Sequence, residues 1–190
     1  MLKREENAIV LDFLPAGRSS DANKEPLAQV LGDTYFTLLE VVLKQGVAVS
    51  PGERVYIGRD ARDKVDHIRG RIVYNDLTSS SQREAEAQIR NLIAVREQEL
   101  VTFLNRAGAI NIRAHSLELL PSIGKKHLEA IINAREEKPF VSFEDVKARV
   151  PSIGNVSEIF VQRILEELKG GSKYYLFTKA PALREEDRRY

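Results

Sequence analysis

A repeated tetrapeptide constrains the fold of this chain more than any other feature of its sequence. Pro121-Ser122-Ile123-Gly124 returns thirty positions later as Pro151-Ser152-Ile153-Gly154. Proline ends a preceding helix because it has no N–H and disfavours helical geometry in the residue before it. Glycine allows a close backbone approach at the start of the next helix. Each copy therefore predicts a short helix, a tight turn and a longer helix, so this part of the chain is an internal repeat.

The start of the helix that follows each turn is a predicted anion site. The first N–H groups of a helix have no intrahelical acceptor, and they carry the positive end of the helix dipole. In copy one the predicted phosphate-binding residues are Ser122, Ile123, Gly124, Lys125, Lys126 and His127. Copy two continues with Asn155-Val156-Ser157-Glu158, which offers no cation. We therefore expect copy one to bind phosphate and copy two to be mainly structural.

Two alternatives stay open at these turns. The Ser122 hydroxyl could cap the following helix by accepting from the Lys125 amide. This cap would either remove one amide donor for phosphate or add the hydroxyl as a donor beside the phosphate. Both turns could also serve only to pack helices or to form a protein-docking surface.

The overall composition gives no electrostatic argument for a nucleic-acid partner. The 190 residues carry a formal net charge of +1, with 43% hydrophobic and 30% charged residues, as in ordinary globular proteins. Any phosphate binding must therefore come from local arrangement. The chain has no cysteine, which excludes disulfides, thiolate metal ligands and cysteine nucleophiles. No apolar run is long enough to cross a membrane and no signal peptide is evident, so we expect a cytoplasmic protein.

The first 76 residues have the pattern of a small β-barrel. Short runs of β-branched and aromatic residues are separated by turn residues, as in barrels of the oligonucleotide-binding (OB) type. The expected strands are Ala8–Leu14, Tyr35–Leu43, Val47–Val49, Arg54–Gly58 and Gly70–Tyr74. Pro26–Leu31 fits either a helix or a strand.

The pattern becomes helical after this region. Leu77–Ser81 is a polar hinge with a plausible helix cap, and residues 82–107 form one long helix or two with a break. Residues 108–170 contain the repeat, where Ser142 is the expected cap of a helix over Phe143–Val150. In residues 171–190, Lys173–Thr178 is predicted to be a strand that docks on the barrel, followed by a mobile tail.

Two resemblances extend this interpretation. From His115 to Leu168 the pattern resembles a tandem helix-hairpin-helix module, whose turn amides grip nucleic-acid phosphates without reading bases. That family usually has glycine at the positions of Ser122 and Ser152 and alanine at Leu128. The chain therefore departs from the usual turn chemistry at these three positions.

Nearly the whole chain resembles the archaeal DUF655 family. The segments that carry the resemblance are Tyr35–Val42, Pro51–Gly58, Arg62–Ile68 and His115–Lys126. The resemblance implies an archaeal protein with an N-terminal barrel and a helix-hairpin-helix domain. It further implies binding of nucleic acid, RNA more than DNA, in translation or ribosome maturation. No catalytic residues come with it.

A second candidate interface lies on the barrel. Its predicted binding residues are positively charged or aromatic: Arg54, Tyr56, Arg59, Arg62, Lys64, Arg69 and Arg71. His67 and Tyr74 lie nearby in the sequence. Cations interleaved with aromatic rings are typical of surfaces that hold single strands. The alternative is a solvated loop with internal ion pairs, which the intervening aspartates favour.

The remaining chemistry is sparse. Asp60, Asp63, Asp66 and His67 do not have the spacing of a calcium loop, so no metal site is expected. No nucleophile, base and orienting group occur together, so neither a catalytic role nor a cofactor is expected. The predicted fold is α+β, an OB-like barrel (1–76), a connecting helix (77–107), an all-α tandem helix-hairpin-helix domain (108–170) and a C-terminal segment (171–190). The alternatives to nucleic-acid binding are an adaptor for ribosomal or transcription proteins and, more weakly, a nuclease-like enzyme.

Overall fold

A computed structural model describes residues 4–22 and 24–180 and shows a mixed α+β fold. The strands of the main sheet are β1 (Asn7–Leu14), β2 (Leu27–Gly32), β3 (Leu38–Leu43), β4 (Arg54–Tyr56) and β5 (Val65–Arg71). A small hairpin follows, formed by β6 (Ala109–Asn111) and β7 (Ala114–His115). The helices are α1 (Ser79–Val95), α2 (Glu97–Arg106), α3 (Lys125–Glu137), α4 (Phe143–Arg149) and α5 (Val156–Lys169).

The main sheet is a curled antiparallel sheet with the strand order β4-β1-β2-β3-β5. Residues alternate between its two faces, and one face forms a continuous apolar core. This core includes Val10 of β1, Val30 of β2, Val41 of β3, Val55 of β4 and Val65 of β5. A register shift between Val10 and Asp12 marks a bulge in β1, and such bulges bend a sheet. The undecided segment Pro26–Leu31 is therefore a strand.

The opposite face of the sheet is also largely buried, and it contains a polar network around Gln29. Gln29 on β2 is fully buried, and its amide nitrogen donates to the Asp76 carbonyl at 3.0 Å. Its amide oxygen accepts from the Ser81 hydroxyl at 2.7 Å and from the Thr78 amide at 2.9 Å. Because buried polar groups are costly unless paired, this network fixes the start of α1 on the sheet.

The long helical stretch is divided into two helices at Arg96, so the alternative with a break is the correct one. Arg96 has φ −100° and ψ 20°, outside helical geometry. The predicted cap before α1 is also present, because the Thr78 hydroxyl accepts from the Ser81 amide at 3.0 Å.

The chain packs as two units. One unit comprises the chain up to Gln88 together with the residues from Glu166 onward, and the other comprises residues 89–165. Phe160 on α5 is fully buried in the second unit, where its ring stacks on Phe143 and meets Phe103 edge to face. Ser142 caps α4 as predicted, accepting from the Asp145 amide at 3.0 Å.

Three expected strands are wrong. The last strand of the sheet spans Val65–Arg71 rather than Gly70–Tyr74, because Tyr74–Asp76 forms a 3-10 turn. Residues 47–49 are not a strand, although Val49 packs into the core. Residues 173–178 are not a strand either. Instead of pairing with a sheet edge, three of their amides donate to the buried Glu167 carboxylate.

Candidate nucleic-acid interface

The two copies of the repeat form the same turn. Ser122 and Ser152 have φ of 65° and 64°, in the left-handed region that favours glycine. Ile123 and Ile153 follow, and each side chain is 5% exposed. The Ile123 amide donates to the Leu120 carbonyl at 3.2 Å, which closes the turn. Each repeated isoleucine thus anchors its turn in the apolar interior, and each serine tolerates a strained backbone.

The helix after the first turn begins without a side-chain cap. Gly124 is the N-cap of α3, and the Leu128 amide makes the first helical bond to its carbonyl at 2.9 Å. The predicted cap by Ser122 is wrong, because Ser122 lies two positions before the N-cap. Its carbonyl oxygen is instead 2.9 Å from His127 Nδ1. The amides of the first turn therefore have no acceptor from a capping side chain.

The first turn of α3 is positively charged. Lys125 and Lys126 are exposed, and no acidic residue lies in this turn. Within the described residues neither lysine forms an ion pair. Their charges add to the positive end of the helix dipole, so the local field favours an anion.

The corresponding helix start in copy two is already occupied by the chain's own groups. Asn155 Oδ1 accepts from the Glu158 amide at 3.2 Å, and the Glu158 carboxylate lies in the first turn of α5. Hydrogen bonds from Arg90 and Gln162 lower the pKa of Glu158, so its negative charge is kept. The Arg90 guanidinium pairs with this carboxylate at 3.1 Å, so copy two presents an ion pair where copy one presents two lysines.

Gly124 is not required by the packing of the chain itself. Its φ is −88°, which any residue adopts, and a Cβ placed there would meet no atom within 4 Å. Gly154 in copy two differs, because its φ of 80° lies in the left-handed region that favours glycine. Open space over Gly124 leaves room for an external group to approach the backbone.

Much of the predicted cationic surface on the sheet is paired internally. Arg69 donates to both carboxylate oxygens of Asp21 at 2.8 and 2.7 Å, which holds the pKa of that carboxyl well below its usual range. Arg54 donates to Asp33 at 2.9 and 2.6 Å.

The other predicted residues on the sheet are partly used as well. Lys64 pairs with Glu53, whose pKa is lowered by this hydrogen bond. Arg62 donates to the Gly58 carbonyl at 2.8 Å and Arg71 to the Ala180 carbonyl at 2.9 Å. Tyr56 folds back over Gly58, where an added Cβ would lie 2.2 Å from its hydroxyl. Exposed Arg59 has no ion-pair partner in the described part of the chain.

A short hairpin before the first turn was missed by the sequence interpretation. The repeat predicts a short helix before its first turn, but Ala114–His115 form β7 and Ser116–Leu119 form a 3-10 turn. At the tip, Ile112 is fully exposed and Arg113 follows it. The Arg113 amide donates to Asn111 Oδ1 at 2.8 Å, the local turn that asparagine favours. The signal in the sequence is Asn111, a residue that favours turns, between Ile110 and Ile112.

The described ranges, 4–22 and 24–180, show neither a metal site nor a membrane-spanning helix. No group of three or more histidine and acidic side chains is arranged to hold a metal ion there. None of the helices described is both long and apolar enough to cross a bilayer.

Comparison with known proteins gives the family of the chain. The model of DUF655, a protein family of unknown function, matches residues 4–179. An uncharacterized protein of Methanocaldococcus jannaschii is 42% identical over 179 residues, covering 93% of this chain and 81% of that protein. A DUF655 crystal structure from Archaeoglobus fulgidus is 43% identical, with a TM-score of 0.84 over 92% of this chain and 100% of that one. The chain belongs to the DUF655 family.

Proposed function

We propose that this DUF655 protein binds the phosphate backbone of nucleic acid, RNA more than DNA, through the start of α3. The observation that carries the proposal is Gly124, a glycine that neither its backbone angle nor its surroundings require. Glycine is a favoured N-cap residue, but no packing contact excludes a Cβ here, so the backbone is left open to a ligand. The turn is then the phosphate seat of the first of two helix-hairpin-helix motifs.

The charge around Gly124 supports a phosphate as that ligand. The uncapped amides of α3 and the side chains of Lys125 and Lys126 present donors and positive charge to the same space. Such contacts hold the backbone and do not read bases, so we expect little sequence preference. The second motif has an asparagine cap and a carboxylate at the equivalent place, and it contributes packing alone.

The sheet supports a smaller contribution. Its order β4-β1-β2-β3-β5 is consistent with a partly open OB-like barrel. OB folds commonly bind strands over β2, β3 and the connection between β4 and β5. All residues of β2 and β3 are buried in this chain, so the connection, which carries exposed Arg59, is one part left for a ligand.

The first test is the salt dependence of binding to labelled RNA and DNA, measured by fluorescence anisotropy. The logarithm of the affinity should fall linearly with the logarithm of salt concentration, by about 0.7 to 0.9 per phosphate contact. Lys125→Glu with Lys126→Glu should weaken binding at least about tenfold and reduce the slope by roughly 1 to 2.

A matched control lies in the same unit. Lys138→Glu with Lys147→Glu makes the same change of net charge at exposed lysines, the first of them at the opposite end of α3. This control should retain most of the affinity and all of the slope at moderate salt. Equal losses from the two double variants would show that net charge, rather than the start of α3, determines binding.

An adaptor function is the second candidate, and exposed apolar side chains favour it. In the unit of residues 89–165, Ile112 is fully exposed and Val141 is 58% exposed. Such residues suit a protein partner of the ribosomal or transcription machinery. Crosslinking in native cell extract, with and without nuclease treatment, separates the candidates. Recovery of partner proteins that persists after nuclease and is lost in Ile112→Ser supports the adaptor.

A further inference from the structure

We propose that a cleft in the unit containing the sheet binds a phosphate group, separately from the start of α3. The cleft opens to solvent between the beginning of β3, the end of β5 and the C-terminal segment. Its lining includes Thr37, Arg71, Glu167 and Lys179. The proposal does not depend on the function proposed above, because all of these residues lie outside the unit of residues 89–165, which contains the start of α3.

The first observation is a buried hydroxyl without a partner. Thr37 is 6% exposed, and its Oγ1 makes no hydrogen bond with the described part of the chain. Thr178, which immediately precedes Lys179, has a second such hydroxyl and is 8% exposed. Unpaired buried polar groups are rare and destabilising, so each requires a reason. Thr37 lines the cleft, and its unpaired hydroxyl is the donor that we assign to a ligand there.

The second observation is the charge at the cleft. Arg71 is exposed, and one of its five N–H donors goes to the Ala180 carbonyl. The Lys179 ammonium lies 4.7 Å from the centre of the Tyr35 ring. The two cations and the hydroxyl are donors on different parts of the wall, which suits an anion with several acceptor oxygens. A phosphate has this chemistry, and charge-assisted hydrogen bonds to it are strong.

The Glu167 carboxylate also lines the cleft and lowers its net positive charge, but its oxygens already accept from the chain's own amides. The carboxylate accepts from the amides of Leu176, Phe177 and Thr178 at 2.8, 3.0 and 2.9 Å. It therefore fixes the C-terminal segment that carries Lys179, rather than offering free lone pairs to the cleft.

The opposite wall is fixed in the same manner by Glu5. This buried carboxylate accepts from the amides of Thr34, Tyr35 and Thr37 at 3.1, 2.9 and 3.1 Å. Between these amides Phe36 has φ 52°, a left-handed conformation that bulky residues rarely adopt. Two carboxylates, each holding three amides, make both walls of the cleft rigid before any ligand arrives, and backbone strain of this kind is typical of binding sites.

The test is a titration of the full chain with inorganic phosphate at constant ionic strength. Isothermal calorimetry and phosphorus NMR measure the binding. Thr37→Val removes the hydroxyl and should weaken phosphate binding on the order of tenfold, since hydrogen bonds to charged groups have about this effect. Because the hydroxyl is unpaired in the folded chain, the variant should unfold at the same urea concentration or higher. Arg71→Gln, at an exposed position, should weaken binding similarly.

Thr178→Val is the matched control, since it removes an equally buried and unpaired hydroxyl that does not line the cleft. It should bind phosphate like the wild type. Absence of phosphate binding by the wild type, or equal binding by wild type and Thr37→Val, overturns the proposal. Equal binding of acetate overturns the assignment to phosphate.

Oligonucleotides distinguish the source of the phosphate. If the group is carried by a strand end, an RNA with a terminal phosphate should bind more tightly than its hydroxyl-ended counterpart, and Thr37→Val should remove the difference. If free phosphate is the ligand, inorganic phosphate binds and the two RNAs bind alike. If the cleft does not bind phosphate, the double variant Lys125→Glu with Lys126→Glu should still bind nucleic acid more weakly than the wild type. The two proposals can therefore fail independently.

Discussion

Ser122 shows how one residue can oppose the conformation of its own turn. Its φ of 65° lies where an L-residue is disfavoured by about 1–2 kcal/mol and glycine is not. The turn is retained because Ile123 is buried beside it and the Leu120 carbonyl accepts the Ile123 amide. The serine therefore lowers the stability of the turn without blocking it.

Replacing this serine by glycine should stabilise the protein. Ser122→Gly removes the strain of the Cβ but adds flexibility to the unfolded chain, leaving a net gain of roughly 0.5–1 kcal/mol. Ser122→Ala keeps the Cβ and should give no gain. Urea unfolding of both variants measures this difference, and equal stabilities would show that the backbone at this position is not strained.

His115 makes the stability of its unit depend on pH. Its Nδ1 accepts from the Leu117 amide at 3.1 Å, which requires an unprotonated nitrogen. Burial lowers its pKa below the usual 6.5, the Arg135 guanidinium lowers it further, and Glu118 opposes them. The folded chain thus keeps this imidazole neutral, whereas the unfolded chain binds a proton near pH 6.5.

Stability contributed by neutral His115 should be complete above pH 6.5 and should decrease as pH falls below it. His115→Asn retains an acceptor for the Leu117 amide and cannot be protonated. Its free energy of unfolding should therefore vary less between pH 7.5 and pH 5 than that of the wild type, in thermal unfolding followed by circular dichroism. Identical pH profiles would contradict the assignment.

At the level of elements, the two repeated turns are followed by helices that start differently. α3 starts at Gly124, which has no capping side chain, and two lysines follow it. α5 starts after Asn155, whose side chain caps the helix, and Glu158 lies in its first turn. The shared turn explains why the tetrapeptide occurs twice. The different helix starts explain why we assign binding to the first copy alone.

The two glycines should respond oppositely to alanine. Gly124→Ala replaces a favoured N-cap residue by a poorer one, which destabilises the protein, but it also restricts the unfolded chain, which stabilises it. The free energy of unfolding should therefore change by less than about 0.5 kcal/mol, whereas RNA binding weakens. Gly154→Ala, at φ 80°, should cost about 1–2 kcal/mol and leave binding unchanged. Urea unfolding and anisotropy together measure both effects. Unchanged RNA affinity in Gly124→Ala contradicts a close backbone approach there.

For the whole molecule, near-neutral charge limits how tightly nucleic acid can be held. The net charge is +1, and Arg54, Lys64 and Arg69 are paired with carboxylates. One helix start supplies few phosphate contacts, so binding by that site alone should be weak at physiological salt. Useful affinity requires a second contact on the same strand.

The length dependence of binding tests this requirement. If Arg59 and the start of α3 both contact one strand, a long RNA gains from the high effective concentration at the second site. A 30-nucleotide RNA should then bind at least about tenfold more tightly than an 8-nucleotide RNA, and Arg59→Ala should weaken only the longer one. A longer RNA offers more overlapping positions at which a single site can bind, and the affinities are corrected for this number. A corrected affinity that does not depend on length contradicts a second contact.

Local chemistry determined what the sequence predicted correctly. The Ser142 and Thr78 caps and the repeated turn involve residues a few positions apart, so their patterns are visible in sequence. The expected strand at 173–178 was wrong because Glu167 draws those amides away from any sheet edge. A β-rich composition does not reveal such a competing acceptor.

The sequence by itself determined the family of the chain, its division into β-rich and helical parts, and the two repeated turns. Tertiary structure alone decided which cations are available, because the partners come from distant segments, as Arg69 and Asp21 do across 48 positions. It also decided that Ser122 is a turn residue rather than a cap and that Thr37 lies unpaired in a cleft. Caps and turns are local interactions, whereas ion pairs and clefts depend on how separate segments pack.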